Sequence, residues 1–397
     1  MGAFSEVWHV IDKKYRKEFA MKRLLKSKII DKKFIKGIIK ERNLLSKLNH
    51  RFLVNMHFSF QDNQYLYMIL DYMKGGDLRY YYKLYNSENK NKKFTENECH
   101  FMVSNLVLAL EYIHKNSIIH CDIKPENIVI DKDGFFYLTD FGISINLKED
   151  EKIKKNSHNS SSNNNTINNN TNNNYIAGSL GYMAPEIMFQ EKISFCSDYF
   201  SLGVICYEMM IGKLPYLGKG FEDTKKLIMA NQVQIKKFGI PKDWSFEAAD
   251  FINKLIQRKQ YKRLGYNNFD EIKNHPWLTN VDWKGLYLHE LKSPFVPDLN
   301  REIFINYCND KKKEYEDSKI SLERYKNIEL NKDYNSKFDE FYYFNKYSMK
   351  YTKESDIFIN PHIKYEDKDN KSTDLNNKNS RNRNNKNVHR YCLTSNI

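Results

Sequence analysis

The sequence predicts an α+β chain of two lobes, a small antiparallel β-sheet with one helix and then a larger, mainly helical lobe. Three observations predict it. Short stretches within residues 1–74 alternate apolar and polar side chains, the period of a half-buried strand. After Gly75-Gly76 the apolar period lengthens to that of a helix. The 397 residues, 41% hydrophobic and 14% aromatic, suffice for a sizeable core in one two-lobed domain or two ordinary ones.

Each element has its own signal. Val7, Trp8 and Val10, then Phe19-Ala20-Met21, alternate around the turn-forming Asp12-Lys13-Lys14 and predict a hairpin. Phe34, Ile38, Leu45 and Leu48 form one stripe of an amphipathic helix over residues 34–48. Residues 53–60 and 65–72 read as strands parted by Gln61-Asp62-Asn63. The small lobe therefore covers residues 1–73, and the large one 74–278. In the latter, residues 96–114 repeat every 3.6 positions, 198–211 are apolar nearly all round, and 247–256 are amphipathic. His275-Pro276-Trp277 closes a further helical segment.

Two stretches fall outside this pattern. Residues 156–174 are almost entirely Asn, Ser and Thr and cannot bury enough apolar area to offset the entropy of ordering. They predict a surface insertion of about residues 146–175. A tail is expected over 279–345 and a disordered Lys/Asn-rich end over 346–397, with 367–387 its most polar part. Within the tail, Lys337-Phe338-Asp339-Glu340-Phe341-Tyr342-Tyr343-Phe344 is an aromatic island, expected to dock on its own domain or on a partner.

The net charge is +14, but Lys concentrates in these polar segments, and no RNA-binding or helix-turn-helix motif accompanies it. Specific nucleic-acid binding is not expected. Cys99, Cys121, Cys196, Cys206, Cys308 and Cys392 show no C-x-x-C pair and no zinc spacing, as reduced thiols would. A soluble, intracellular and cytoplasmic monomer is expected. No basic-then-apolar leader opens the chain, and the longest apolar run, 200–211, contains Glu208 and is too short to span a bilayer. Ser5 is one place too early to complete a Met-Gly myristoylation pattern.

The chemistry concentrates in His120-Cys121-Asp122-Ile123-Lys124-Pro125-Glu126-Asn127, followed by Asp140-Phe141-Gly142. Phosphoryl transfer needs a carboxylate facing the acceptor hydroxyl, oxygen ligands for a metal, and a cation near the phosphate. This spacing, with Phe19-Ala20-Met21-Lys22 upstream and Ala184-Pro185-Glu186 downstream, resembles the eukaryotic protein kinases over roughly residues 1–300.

The resemblance implies a protein-kinase fold and a phosphotransferase using ATP and Mg²⁺ on Ser or Thr of protein substrates. Lys22 would grip the nucleotide phosphates, with Glu41 its ion-pair partner. Asp122 would orient the acceptor hydroxyl, Lys124 would stabilise the transferred group, and Asn127 and Asp140 would hold metal. Gly2, Ala3, Phe4, Ser5 and Val7 match the second half of the glycine-rich loop. The first glycine and its strand would precede Met1, which reads as an N-terminal truncation. Ala20, Leu70, Asp71, Met73, Asp77, Glu126, Val129 and Thr139 complete the implied ATP site, with Leu70 as gatekeeper. Arg263 would pair with Glu186, and Asp198 would brace the catalytic loop. His120 would join Phe141, Leu45 and Met56 in a packed stack.

Gly75-Gly76-Asp77-Leu78-Arg79-Tyr80 and Ser293-Pro294-Phe295-Val296-Pro297 are similar to the AGC group, most of all its YANK branch. Phe338-Asp339-Glu340-Phe341 fits either that group's adenosine-site tether or its terminal hydrophobic motif. Asp77, Glu126 and Glu208 match acidic positions that take upstream arginines of peptide substrates, with Ser179 beside the acceptor. Cys121 replaces the arginine that normally pairs with a phosphorylated activation loop, and Tyr175 stands at the usual phosphothreonine position. An enzyme not gated by loop phosphorylation is expected. The rival reading is an interaction module that keeps the fold without the chemistry, supported by the incomplete glycine-rich loop.

Overall fold

Alternating burial builds the small lobe. In the computed structural model, which describes residues 5–12, 15–31, 34–86, 93–148, 178–299, 336–345 and 390–391, β1 (Ser5–Ile11) pairs antiparallel with β2 (Glu18–Leu25), from Ser5↔Leu24 to Ile11↔Glu18. β2 pairs with β4 (Tyr65–Asp71), and β4 with β3 (Met56–Gln61). Phe19 and Met21 pack with Tyr67 and Ile69 on the outer face of the sheet. Ala20 and Lys22, out of phase by one residue, line the cleft between the lobes. Besides the expected helix, here α2 (Ile35–Lys47), a short α1 (Lys26–Asp31) follows β2 directly. α2 buries Ile38, Glu41, Leu44 and Leu45, close to the stripe the sequence predicts.

The chain crosses to the large lobe through β5 (Gly76–Asp77) and α3 (Leu78–Asn86). Gly75 has to be glycine: an added Cβ would sit 2.8 Å from the carbonyl oxygen of Asp131. α4 (Glu96–Lys115) opens in a capping box. Thr95 Oγ1 accepts from the Glu98 amide at 3.2 Å, and the Glu98 carboxylate accepts from the Thr95 amide at 2.8 Å. β6 (Ile118–Ile119) then pairs with β9 (Ile145–Asn146), while β7 (Ile128–Ile130) joins β5 and β8 (Phe136–Leu138) in a three-stranded sheet. These short strands hold the loops that carry the chemistry.

α5 (Pro185–Met188) precedes α6 (Cys196–Ile211), which is buried on nearly every side, as its continuous apolar sequence requires. α6 meets α8 (Phe246–Leu255) at Gly203, where a Cβ would lie 2.6 Å from Leu255 Cβ. α7 (Phe221–Ala230), α9 (Asp270–Lys273) and α10 (Trp283–Leu288) complete the lobe. None of the helices among the described residues is long and apolar enough to cross a membrane.

The aromatic island docks on the chain's own small lobe. Phe338 and Phe341 are fully buried. Gln61 Nε2 donates to the Phe338 carbonyl at 2.9 Å, Ser59 Oγ donates to the Phe341 carbonyl, and Tyr343 OH donates to the Ser46 carbonyl at 3.1 Å. β10 (Tyr343–Phe344) extends the sheet beyond β3, giving the order β10-β3-β4-β2-β1-β11, where β11 is Arg390–Tyr391. No residue of 336–345 lines the cleft. Earlier in the tail, Phe295 is buried and meets Tyr81 edge-on at 4.8 Å. Cys99, Cys121, Cys196 and Cys206 are free and buried. Gly2, Ala3, Phe4, Thr171, Tyr175, Cys308, Cys392 and residues 156–174 and 367–387 lie outside the described residues.

Candidate active site

Strand register and helix face bring the first pair together. Lys22 on β2 and Glu41 on α2, nineteen residues apart, meet with Nζ 2.6 Å from Oε1. Asp140 Oδ1 approaches the same ammonium at 3.5 Å. Burial disfavours the charge, but Asp140 and Glu41 outweigh it and hold the lysine above its ordinary range. A cation that stays charged in a buried cleft is what a polyphosphate requires.

The loop from β6 to β7 is held from below by α6. Asp198 accepts from the main-chain amides of His120 and Cys121, each at 2.9 Å, and contacts His114 Nε2 at 2.8 Å. Cys121 and Asp140 both adopt positive φ, 66° and 65°. Such backbone persists in non-glycine residues only where its surroundings impose it. The His120 ring lies edge-on to Phe141 at 4.9 Å, and Leu45, Met56 and Phe141 share the surrounding core.

Above this base the polar groups converge on one carboxylate. Asp122 Oδ1 accepts from the amide and hydroxyl of Ser179 at 3.2 and 3.1 Å. Its Oδ2 lies 2.8 Å from Lys124 Nζ and 3.0 Å from Asn127 Nδ2. Lys124 also donates to Ser179 Oγ at 2.8 Å. Asp122, Lys124, Asn127 and Ser179 thus form one network fixed from several sides.

Ser5, Val7, Ala20, Lys22, Leu70, Asp71, Met73, Glu126, Asn127, Val129, Thr139 and Asp140, all expected, line a single cleft between the lobes. The Asp71 carboxylate itself turns to β3. It accepts from the Asn55 amide at 2.9 Å and meets His57 Nε2 at 2.6 Å. Burial would raise it, but these bonds hold it below the usual carboxylate range. Asp77, also expected in the ATP site, is not among the residues lining the cleft; it is 1% exposed, and its Oδ1 caps α3 through the Tyr80 amide at 2.8 Å. His9, Val54 and Tyr72 line the cleft without having been expected, His9 stacked on Tyr72 at 4.1 Å. A ring pair between residues 63 positions apart carries no local sequence signature.

Asn127 and Asp140 supply hard oxygen donors on one cleft, with the Asn127 amide nitrogen already bonded to Asp122. Among the described residues no cluster of three or more His, Cys, Asp or Glu forms a metal cage. That donor set suits Mg²⁺, which is usually held by one or two carboxylates plus substrate phosphate rather than by an all-protein site.

Glu126 and Glu208, expected with Asp77 to take peptide arginines, meet an arginine of the chain itself. Glu126 Oε1 accepts from Arg79 Nε at 2.9 Å, and Glu208 Oε1 from the same guanidinium at 3.2 Å. The role of Arg79 escaped the sequence reading; its only signal is a charged residue immediately before the aromatic run Tyr80-Tyr81-Tyr82. Glu186 and Arg263 pair as expected, through contacts of 2.7 and 3.1 Å, both side chains almost fully buried.

The fold and this cleft define a protein kinase domain. The family model described as "Protein kinase domain" matches residues 1–278, and the chain belongs to that family. It is 35% identical over 296 residues to a probable serine/threonine-protein kinase of Dictyostelium discoideum, covering 75% of this chain and 58% of that protein. It is 33% identical over 300 residues to serine/threonine-protein kinase sgk-1 of Caenorhabditis elegans, again 75% and 58%. Against human ribosomal protein S6 kinase alpha-2 it is 34% identical over 285 residues, 71% of this chain and 35% of that protein. The chain thus spans less than three-fifths of the length of each of these relatives.

Proposed function

We propose that the chain is an active serine/threonine protein kinase of AGC type, transferring the γ-phosphate of Mg-ATP to hydroxyls of protein substrates. The observation that carries this reading is the network on Asp122. Its carboxylate is held by Ser179, Lys124 and Asn127, and Asn127 itself lines the cleft. That carboxylate accepts and orients the proton of an incoming hydroxyl, while Lys124 faces the charge passing to it. Lys22, kept protonated, positions the phosphates. Mg²⁺, when bound by Asn127 and Asp140, supplies neutralisation of phosphate charge. The names of the relatives support Ser and Thr as acceptors. The rival reading as an inert interaction module loses ground because Lys22, Glu41, Asp122, Asn127 and Asp140 carry their side chains in bonded geometry.

The position before Asp122 holds the uncharged, buried thiol of Cys121, which offers nothing to a phosphorylated loop. Activity without loop phosphorylation follows. One assay tests both points: the chain with Mg²⁺, labelled ATP and a Ser-containing peptide, beside Asp122→Asn, Thr171→Ala and Tyr175→Phe. Asp122→Asn is expected to lose about 10³-fold in rate, and the loop variants to stay within twofold of the parent. Equal transfer by the parent and Asp122→Asn sinks the kinase reading. A tenfold loss in either loop variant sinks the ungated one.

A further inference from the structure

The cluster around Arg79 is built, not incidental. Its guanidinium meets Glu126 at 2.9 Å, Glu208 at 3.2 Å and the Tyr182 hydroxyl, which itself donates to the other oxygen of Glu208. The rings of Tyr82 and Tyr182 flank it at 5.3 and 5.6 Å. The three charged side chains are between 10 and 21% exposed, so they are half-sheltered at the edge of the cleft that Glu126 also lines. A planar cation gripped by two carboxylates and bracketed by two rings is the arrangement that would receive an arginine from another chain. Here the arginine comes from α3.

We infer that Arg79 is a specificity-determining residue that fills the Glu126–Glu208 subsite from within, so that an arginine upstream of the acceptor gains little by binding there. The inference rests on the reading of the chain as a peptide-phosphorylating kinase. Two carboxylates against one guanidinium leave a single net negative charge instead of two. A second guanidinium entering the same space meets Arg79 at close range, where like charges repel through a partly excluded solvent. One acceptor remains: Glu126 Oε2 is buried and has no hydrogen-bond partner among the described residues. Buried as it is, it offers an incoming guanidinium no fork.

Direct binding tests this without depending on transfer. Fluorescent peptides with alanine at the acceptor position are titrated into the full chain: a parent without basic residues, and five that each carry one arginine at one of the five preceding positions. Wild type is expected to bind all six within threefold of one another. Arg79→Ala is expected to bind one arginine peptide at least tenfold tighter than the parent, and Arg79→Ala/Glu208→Gln to lose that gain. Arg79→Lys, which keeps the charge, is expected to retain the wild-type pattern. A tenfold arginine preference in wild type that Glu208→Gln abolishes overturns the inference, and needs no Arg79 variant to fold. So does an Arg79→Ala protein that is folded by circular dichroism yet shows no arginine preference, or no binding at all. Labelled-ATP transfer to the Ser form of the parent peptide, beside Asp122→Asn, is run separately. Its failure with the binding pattern intact removes the kinase reading alone.

Discussion

Two groups of charged side chains sit within reach of the same cleft, and they differ in what completes them. Around Asp122 and Lys22 the charges hold one another beside the cleft that Lys22, Asn127 and Asp140 line, and Asp140 remains 23% exposed beside Lys22. Around Arg79 the carboxylates of Glu126 and Glu208 are answered by a cation from the same chain. Both groups have residue types that a ligand could use. The first opens on the cleft through Lys22, Asn127 and Asp140, and the second is closed by a guanidinium from α3. Removing a side chain from an open group should cost activity, and removing one from a closed group should cost stability.

The largest expected effect lies on the open side. Asp140→Asn keeps shape and polarity but removes a charge that Lys22 approaches at 3.5 Å and the Gly142 amide at 3.3 Å. Losing a metal-facing carboxylate is worth about 4 kcal/mol of transition-state stabilisation, or about 10³-fold in phosphoryl transfer. The melting temperature should move by less than ~2 °C, since one exposed charge contributes little to folding. A variant that unfolds instead would place Asp140 with the closed group and break the comparison.

The next effect lies at the most closed pair. Arg263 is held by Glu186 at 2.7 and 3.1 Å and by the Cys196 carbonyl at 2.7 Å, while Ser197 Oγ donates to the same carboxylate at 2.7 Å. Glu186→Gln strands a guanidinium in the core, a change expected to destabilise by about 3–5 kcal/mol. Thermal unfolding should show it as a loss of about 10 °C, while the KM for ATP of the folded fraction stays within twofold. An unchanged melting temperature with a raised KM would reverse the assignment.

How much of this was legible in the sequence follows the same division. Lys22, Asp122, Lys124, Asn127 and Asp140 could be placed because each sits at a fixed offset in a short strand or loop, where local spacing dictates geometry. Glu41 could be paired with Lys22 only through the resemblance to the protein kinases, since alone either reads as a surface charge; the structure buries it on α2. Arg79 could not be paired, because its partners lie 47 and 129 residues away on a loop and on α6. Nothing local distinguishes a cation that plugs a pocket from one that faces water. For Asp77 the legible part was local: an aspartate starting a helix caps that helix, as its bond to the Tyr80 amide shows. The docked Phe338 and Phe341 were legible as an island of aromatics, but their seat depends on contacts with Ser59 and Gln61 more than 270 residues earlier.

The smallest expected effect extends the comparison to a group closed without any countercharge. His50, in the link between α2 and β3, stacks on Tyr112 of α4 at 4.6 Å, and its Nδ1 accepts from the Phe52 amide at 3.3 Å. It thereby ties the small lobe's loop to the large lobe's central helix. Burial lowers its pKa from 6.5 to about 4, with Glu111 opposing only in part. An unfolded chain takes up a proton as the pH drops below 6.5, whereas the folded chain cannot until about pH 4. The contact's stabilisation is therefore complete above pH 6.5 and lost progressively toward pH 4. Between pH 7 and pH 5 this amounts to about 2 kcal/mol. Urea unfolding at both values should show wild type losing more stability than His50→Gln by that amount. The variant itself should be weaker at pH 7, where the stack is missing. Equal pH dependence in the two proteins would mean that the imidazole is reached by water, and that this junction belongs with the open group after all.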